Sequence, residues 1–294
     1  MSRRSHWSRR FDATGRGSYT PAVALPPSFR ALAPVAHCEG VATGPDGVLW
    51  TGDERGAIYR VDPNDGAHEQ VVDIGTWALG LAADARSRLY ICAYADGSIV
   101  RADPATGERD VYCDGLRTPN WCVFAPDGTL YVSESGAEAV DERDGRVVRI
   151  PPGGGTFEPL DLAPLAFANG MALATDGTLY VAESSIPQVR GVRDGEAPVH
   201  CELPGTVPDG LALDTDGGLV VTSYQPNRVL YVPPGGGEPV TFLDDWQGER
   251  LLTPTNAAFY GPELRHLAVA SLCGWSLSTV ETPWRGQPLF YPSL

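Results

Sequence analysis

The sequence predicts an all-β fold, a six-bladed β-propeller, and three observations carry that expectation. A phrase made of an apolar run, a turn around Asp-Gly and a Leu beside an aromatic or apolar residue occurs six times. Its marker leucines, Leu49, Leu89, Leu130, Leu179, Leu219 and Leu267, follow one another at 40, 41, 49, 40 and 48 residues, the length of a four-stranded propeller blade. Gly (34) and Pro (26) make about a fifth of the 294 residues, scattered as short turn clusters between β-rich runs, which leaves little room for long helices.

Taken in order, residues 1–25 read as a flexible N-terminal arm. Arg3, Arg4, Arg9 and Arg10 lie in it, and no apolar run of signal-peptide length follows them. Residues 26–294 read as one propeller domain. The segment from Ser28 to Pro34 precedes the first phrase, so counting strands assigns it to the outer strand that closes the ring with the last blade. The phrases themselves read VATGPDGVLW (41–50), LAADARSRLY (81–90), VFAPDGTLY (123–131), MALATDGTLY (171–180), LALDTDGGLV (211–220) and AAFYGPELRHLAV (257–269). A second marker follows four of them: IYRVDPNDG, IVRADPATG, VVRIPPGGG and VLYVPPGGG each end a strand in a turn. The glycine clusters are therefore turns and not phosphate loops, since Asp-Pro takes their place in other copies and no helix follows. Ser133 to Gly145, SESGAEAVDERDG, lengthens the third blade as an acidic loop or a lid.

Composition narrows the function. With 43% hydrophobic and 20% charged residues the chain can build a sizeable core. Its formal net charge of -15 argues against a nucleic-acid partner, and a small-molecule substrate is expected instead. The complete absence of Lys excludes Schiff-base chemistry and a P-loop. Six cysteines without a C-x-x-C pair fit reduced, mostly buried thiols in a cytoplasmic protein, and no stretch approaches a membrane span.

Equal offsets from the marker leucines should fall at equal heights in the innermost strands. Ten residues before each leucine stand Glu39, Leu79, Asn120, Asn169 and Asp209. In the sixth copy, counted with a turn one residue longer, Asn256 takes the place. Five of six positions are thus Glu, Asn or Asp ahead of apolar strands. Any one of them could simply start a strand; as a set converging on one axis they would leave carboxylates without a counter-charge, which is costly. A divalent cation resolves the cost. Oxygen ligands without His or Cys select Ca²⁺ foremost, then Mg²⁺ or Mn²⁺, with Zn²⁺ a further possibility. Glu39 and Asp209 would neutralise the two charges, and Asn120 and Asn169 would offer neutral oxygens. His37 and Cys38 beside Glu39 do not make a nucleophilic pair, because adjacent strand residues point to opposite faces.

These residues and their surroundings resemble the SMP-30/gluconolactonase/luciferin-regenerating-enzyme family, and more distantly the diisopropyl-fluorophosphatase type. The likeness is carried by Glu39-Gly40, Pro119-Asn120, Ala168-Asn169-Gly170-Met171-Ala172, Val207-Pro208-Asp209-Gly210 and Pro254-Thr255-Asn256-Ala257-Ala258-Phe259 with Gly261-Pro262. It implies a catalytic divalent metal in the channel mouth on Glu39, Asn169 and Asp209, with Asn120 as ligand or substrate contact. It implies hydrolysis of a lactone or related cyclic ester, with Asp209 as general base, as orienter of the water or as nucleophile. Trp121-Cys122 departs from the family's Asp-Gly after this Asn. Trp121 and Trp77, with Arg117 and Asn256, are the expected substrate contacts, and the tryptophans point to a ligand less polar than a free sugar lactone. A non-hydrolytic cyclase or isomerase on the same scaffold, and a non-catalytic ligand-binding propeller, are the alternatives.

Overall fold

The computed structural model describes residues 25–137 and 142–294, and nearer the N-terminus the backbone strands Trp7–Phe11 and Gly17–Pro21, which pair with each other antiparallel. The remainder of the expected arm, and residues 138–141 of the expected lid, lie outside the described residues.

Six four-stranded antiparallel sheets follow. Their innermost strands are Cys38–Thr43, Ala78–Ala83, Pro119–Phe124, Ala168–Leu173, Pro208–Leu213 and Pro254–Tyr260, in blades I to VI. Each packs against the next, and that of blade VI packs against that of blade I, so the ring is closed. The closing strand is Arg30–Ala33, which pairs with Leu277–Glu281 at the outside of blade VI. The expected closure by the Ser28–Pro34 segment is what the structure shows. Pairing the two ends of the domain in one sheet ties the first and last blades together by backbone hydrogen bonds.

Burial falls outward within each blade, and this is why the phrases were readable. Ala78–Ala83, Ala168–Leu173 and Pro254–Tyr260 are buried along their whole length. The outermost His68–Asp73 and Arg109–Cys113 begin with three exposed residues each. An inner strand covered on both faces reads as a mainly apolar run, while an edge strand can carry charge. The turn between first and second strands uses the predicted chemistry. Asp127 and Asp176 each accept the backbone N–H two residues on at 2.9 Å, and Gly128 and Gly177 adopt φ of 91° and 90°. The only helical element among the described residues is a 3-10 turn, Pro262–Leu264, and no helix among them is long and apolar enough to cross a membrane.

Candidate functional site

All six innermost strands break register with their neighbours near their first residues. In blade IV Ala168 pairs with Glu183 and Met171 with Val181, so Asn169 and Gly170 together face one residue. Glu39, Leu79, Asn120 and Asp209 occupy the same bulge in their blades. A bulge re-aims a side chain that a regular strand would turn into the sheet interface. One sequence pattern thus delivers its polar residues to one end of the channel.

The residue after the bulged one lets neighbouring strands touch. A Cβ on Gly40 would lie 2.2 Å from the Leu79 carbonyl oxygen, and one on Gly170 would lie 2.3 Å from that of Asp209. No side chain fits at either place, so glycine holds the ring at a narrow radius.

Blade VI departs from the expected register. Phe259 pairs with Leu267 where Thr43 pairs with Leu49 in blade I. Counting back four residues puts Thr255, not Asn256, at the height of Glu39. The cause is the connection through Gly261, Pro262, Glu263, Leu264 and Arg265, which is longer than its counterparts by two residues and not one. Thr255 donates its hydroxyl to the Glu39 carbonyl at 2.7 Å. Asn256 lies one step deeper, against Gly210, buried, and among the described residues neither its Oδ1 nor its Nδ2 has a hydrogen-bond partner.

The other amides are fixed by serines that the sequence reading missed. Asn120 Nδ2 donates to Ser135 Oγ at 2.9 Å, and Asn169 Nδ2 donates to Ser184 Oγ at 3.1 Å. With the nitrogens engaged, both Oδ1 atoms are left for a cation or a substrate. Ser184 Oγ donates on to the carbonyl of Pro208, beside Asp209, at 2.6 Å. The signal was present: each serine follows its Asn by fifteen residues, in the parallel phrases Val132-Ser133-Glu134-Ser135 and Val181-Ala182-Glu183-Ser184. The glutamates of these phrases brace the incoming loops. Buried Glu183 accepts from Ala166 N at 2.8 Å and from Arg190 Nε at 2.6 Å, and Glu134 accepts from Arg117 N and Arg146 Nε.

Electrostatically the ring is under tension. The Glu39 carboxyl is pushed well above the ordinary carboxylate range, first by burial and then by the charge of Asp209. Burial likewise raises Asp209, against a lowering hydrogen bond from Asn169. Among the described residues Glu39 Oε2 has no hydrogen-bond partner. Two buried carboxyls beside unengaged amide oxygens form a hard, oxygen-only donor set that carries a charge of minus two once both are ionised, which fits a divalent cation. Cys38, by contrast, is fully buried with its thiol pushed up to about 11, so the neighbouring His37 has no nucleophile to activate.

Three expected substrate contacts differ in place. Leu79 joins Trp77 and Tyr94 in an apolar sector of blade II, the two rings meeting edge to face at 6.0 Å, and Trp77 Nε1 is buried without a partner among the described residues. Trp121 turns away from the ring: its indole N–H donates to the Met171 carbonyl at 3.0 Å, and it lines the apolar channel below. The cause is Gly80, whose missing side chain leaves the space the indole fills. Arg117 is engaged by Asp144, its guanidinium 3.6 Å from the Asp144 carboxylate and bonded to the Asp144 carbonyl at 2.8 Å.

Fold and ring together define a six-bladed propeller with an acid-and-amide cluster at the channel mouth. The model of the family described as SMP-30/Gluconolactonase/LRE-like region matches residues 39–272, and the chain belongs to that family. No curated protein matches it. Among solved structures it is similar to a gluconolactonase of Xanthomonas campestris, at 24% identity and TM-score 0.71 over 87% of this chain and 89% of that one. It is also similar to a calcium-binding protein, regucalcin, of Agrobacterium tumefaciens, at 18% identity and TM-score 0.75 over 92% and 98%. A virginiamycin B lyase of Staphylococcus aureus shares 13% identity with TM-score 0.62 over 95% and 88%. At these identities the likenesses establish the fold.

Proposed function

We propose that the chain is a divalent-metal-dependent hydrolase that opens a lactone or related cyclic ester at the mouth of its channel, with Ca²⁺ as the foremost metal. The observation that carries this reading is the Glu39–Asp209 pair, two carboxyls raised by burial, Glu39 further by the charge of Asp209, with one oxygen unpartnered beside amide oxygens held ready by serines. Glu39, Asn169 and Asp209 would hold the metal, with Asn120 as a further ligand or a substrate contact. The bound cation would supply Lewis-acid polarisation of the ester carbonyl and a counter-charge for the developing oxyanion.

The chain's own residues do the rest. Asp209, fixed through Asn169, orients the attacking water and accepts its proton at the carboxylate. Thr255 pins the backbone of Glu39 and so its distance from Asp209. The Leu79, Trp77 and Tyr94 sector faces the ring with apolar surface where its counterparts are polar, which favours a cyclic ester bearing an alkyl or aryl group over a polyhydroxylated one.

The same acid pair could run an elimination or isomerisation, and the likeness to a lyase of this fold is the observation favouring that second reading. One assay separates them. Metal-stripped protein is titrated with Ca²⁺, Mg²⁺, Mn²⁺ and Zn²⁺ while proton release from a panel of alkyl, aryl and sugar lactones is followed. Restoration by one metal per chain with a hydroxy acid as product supports the hydrolase. Metal binding without opening of any lactone favours the second reading, and no metal binding removes the ring as a metal centre.

A further inference from the structure

Below the ring the channel changes character. Three residues beyond the bulged position, the six innermost strands carry Ala42, Ala82, Val123, Ala172, Ala212 and Ala258. All six line one cavity of about 240 Å³, whose walls are mainly apolar. Five alanines at one height leave the axis unfilled where larger side chains at that height would close it.

Residues 287–291 cross the far end of this cavity. The crossing is stitched at its edges to four blades. Gln287 donates its backbone N–H to Leu213 at 2.8 Å and its side-chain amide to Leu173 at 2.9 Å. Tyr291 donates its hydroxyl to the Thr43 carbonyl at 2.7 Å, and the Ala85 N–H reaches Pro292 at 3.0 Å. Between these anchors Leu289 and Phe290 lie over the opening. The hairpin residues Gly44, Pro45 and Gly47 of blade I form its rim, and nothing lies within 4 Å of a Cβ placed on Gly47.

We propose that this compartment is a binding site for one small, neutral, apolar molecule, distinct from the polar ring. Folded interiors carry few voids larger than a water molecule, and an apolar cavity of roughly 150 Å³ already stays dry and takes up benzene or xenon. Water is a poor occupant, because it needs two to four polar partners: the walls are mainly apolar, and their polar side chains Thr43, Gln287 and Tyr291 already donate to the carbonyls of Phe259, Leu173 and Thr43. A polypeptide is excluded by the crossing segment, which leaves room for a compact molecule only. None of Glu39, Asn120, Asn169, Asp209 and Thr255 is among the residues that line the compartment, so a ligand here leaves the Glu39–Asp209 pair free. This inference does not depend on the hydrolase reading.

The test uses the full chain and three probes: xenon, indole and 1-octanol. Calorimetry should show one molecule of indole or octanol per chain. A double variant, Ala172→Leu with Ala212→Leu, fills the empty volume from two blades and should weaken both probes by about tenfold or more, with a melting temperature equal to or above that of the unmodified chain. Xenon-pressurised crystals of the unmodified chain locate the site even if the double variant does not fold, and should show xenon on the axis between Ala172, Ala212 and Phe290. Failure of all three probes to bind overturns the proposal. So does unchanged affinity in a folded double variant, or xenon found only away from the axis.

Discussion

The two ends of the channel are built from the same six strands and solve opposite problems. At the mouth, bulged backbone turns two carboxyls and two serine-held amides toward the axis, and the cost is charge without a counter-charge. Three residues further along, regular strands carry alanine, and the cost is unfilled volume. A step of three residues on one strand separates a site suited to a cation from one suited to a hydrocarbon. The lesson is that blade geometry sets the height of a residue, and local backbone sets which of the two problems it meets.

The largest effect should come from Asp209→Asn, which leaves the far compartment untouched. Turnover of any lactone the protein opens should fall by about 10²–10⁴-fold, read from initial rates at saturating metal, and indole binding below should not change. Turnover near the unmodified level would break the assignment of the mouth as the reactive end. Next comes Gly170→Ala. Its Cβ would meet the Asp209 carbonyl oxygen at 2.3 Å and the Gly210 Cα at 2.5 Å, both backbone atoms, so blades IV and V must part. Urea unfolding should show a loss of about 2–4 kcal/mol and calorimetry a weakened metal.

A third expectation concerns acidity. Glu39 and Asp209 ionise less readily in the folded chain than in the unfolded one. Above the ordinary carboxylate range of about pH 4 the metal-free folded state therefore holds more protons than the unfolded chain. Its stability should fall as pH rises from there through the raised values. Glu39→Gln should flatten that fall and raise the metal-free melting temperature by about 2–4 °C, and saturating Ca²⁺ should do the same for the unmodified chain. A metal-free melting temperature that climbs over the same window would contradict the tension ascribed to the mouth.

Legibility followed the same division. The blades were readable because the inner strands are covered on both faces and so read as mainly apolar runs, and because Asp-Gly turns repeat the same chemistry. Five ring positions were readable because the offset from the marker leucine is constant in blades I to V. Blade VI was misplaced by one residue, since the length of a connection does not announce where the extra residues go; here they enter the turn at Glu263 and Leu264, both at positive φ. Trp121 could not be oriented from its own position, because the space it occupies is made by Gly80 on the neighbouring strand. The alanine girdle was in plain view, yet alanine in a buried strand raises no question until the six strands are set at one height around an axis.

The smallest effect serves as a reference for both ends. Blade II makes its first turn with Ala85-Arg86-Ser87 in place of a glycine turn, and Ser87 adopts φ of 61°, the left-handed region that its counterparts Gly47, Gly128, Gly177 and Gly217 occupy at 81° to 91°. Asp84 holds the turn in spite of this, accepting the N–H groups of Arg86 and Arg88 at 2.9 and 3.0 Å. Ser87→Gly relieves the strained backbone but gives the unfolded chain more freedom to lose, so the two contributions oppose. With the hydrogen bonds to Asp84 unchanged, relief should prevail by about 0.5 kcal/mol, seen as a shift of the urea midpoint at constant slope. Metal binding at the mouth and indole binding below should both stay as they were. A change in either would mean that the turn, and not the height of a residue on its strand, sets the properties of the channel.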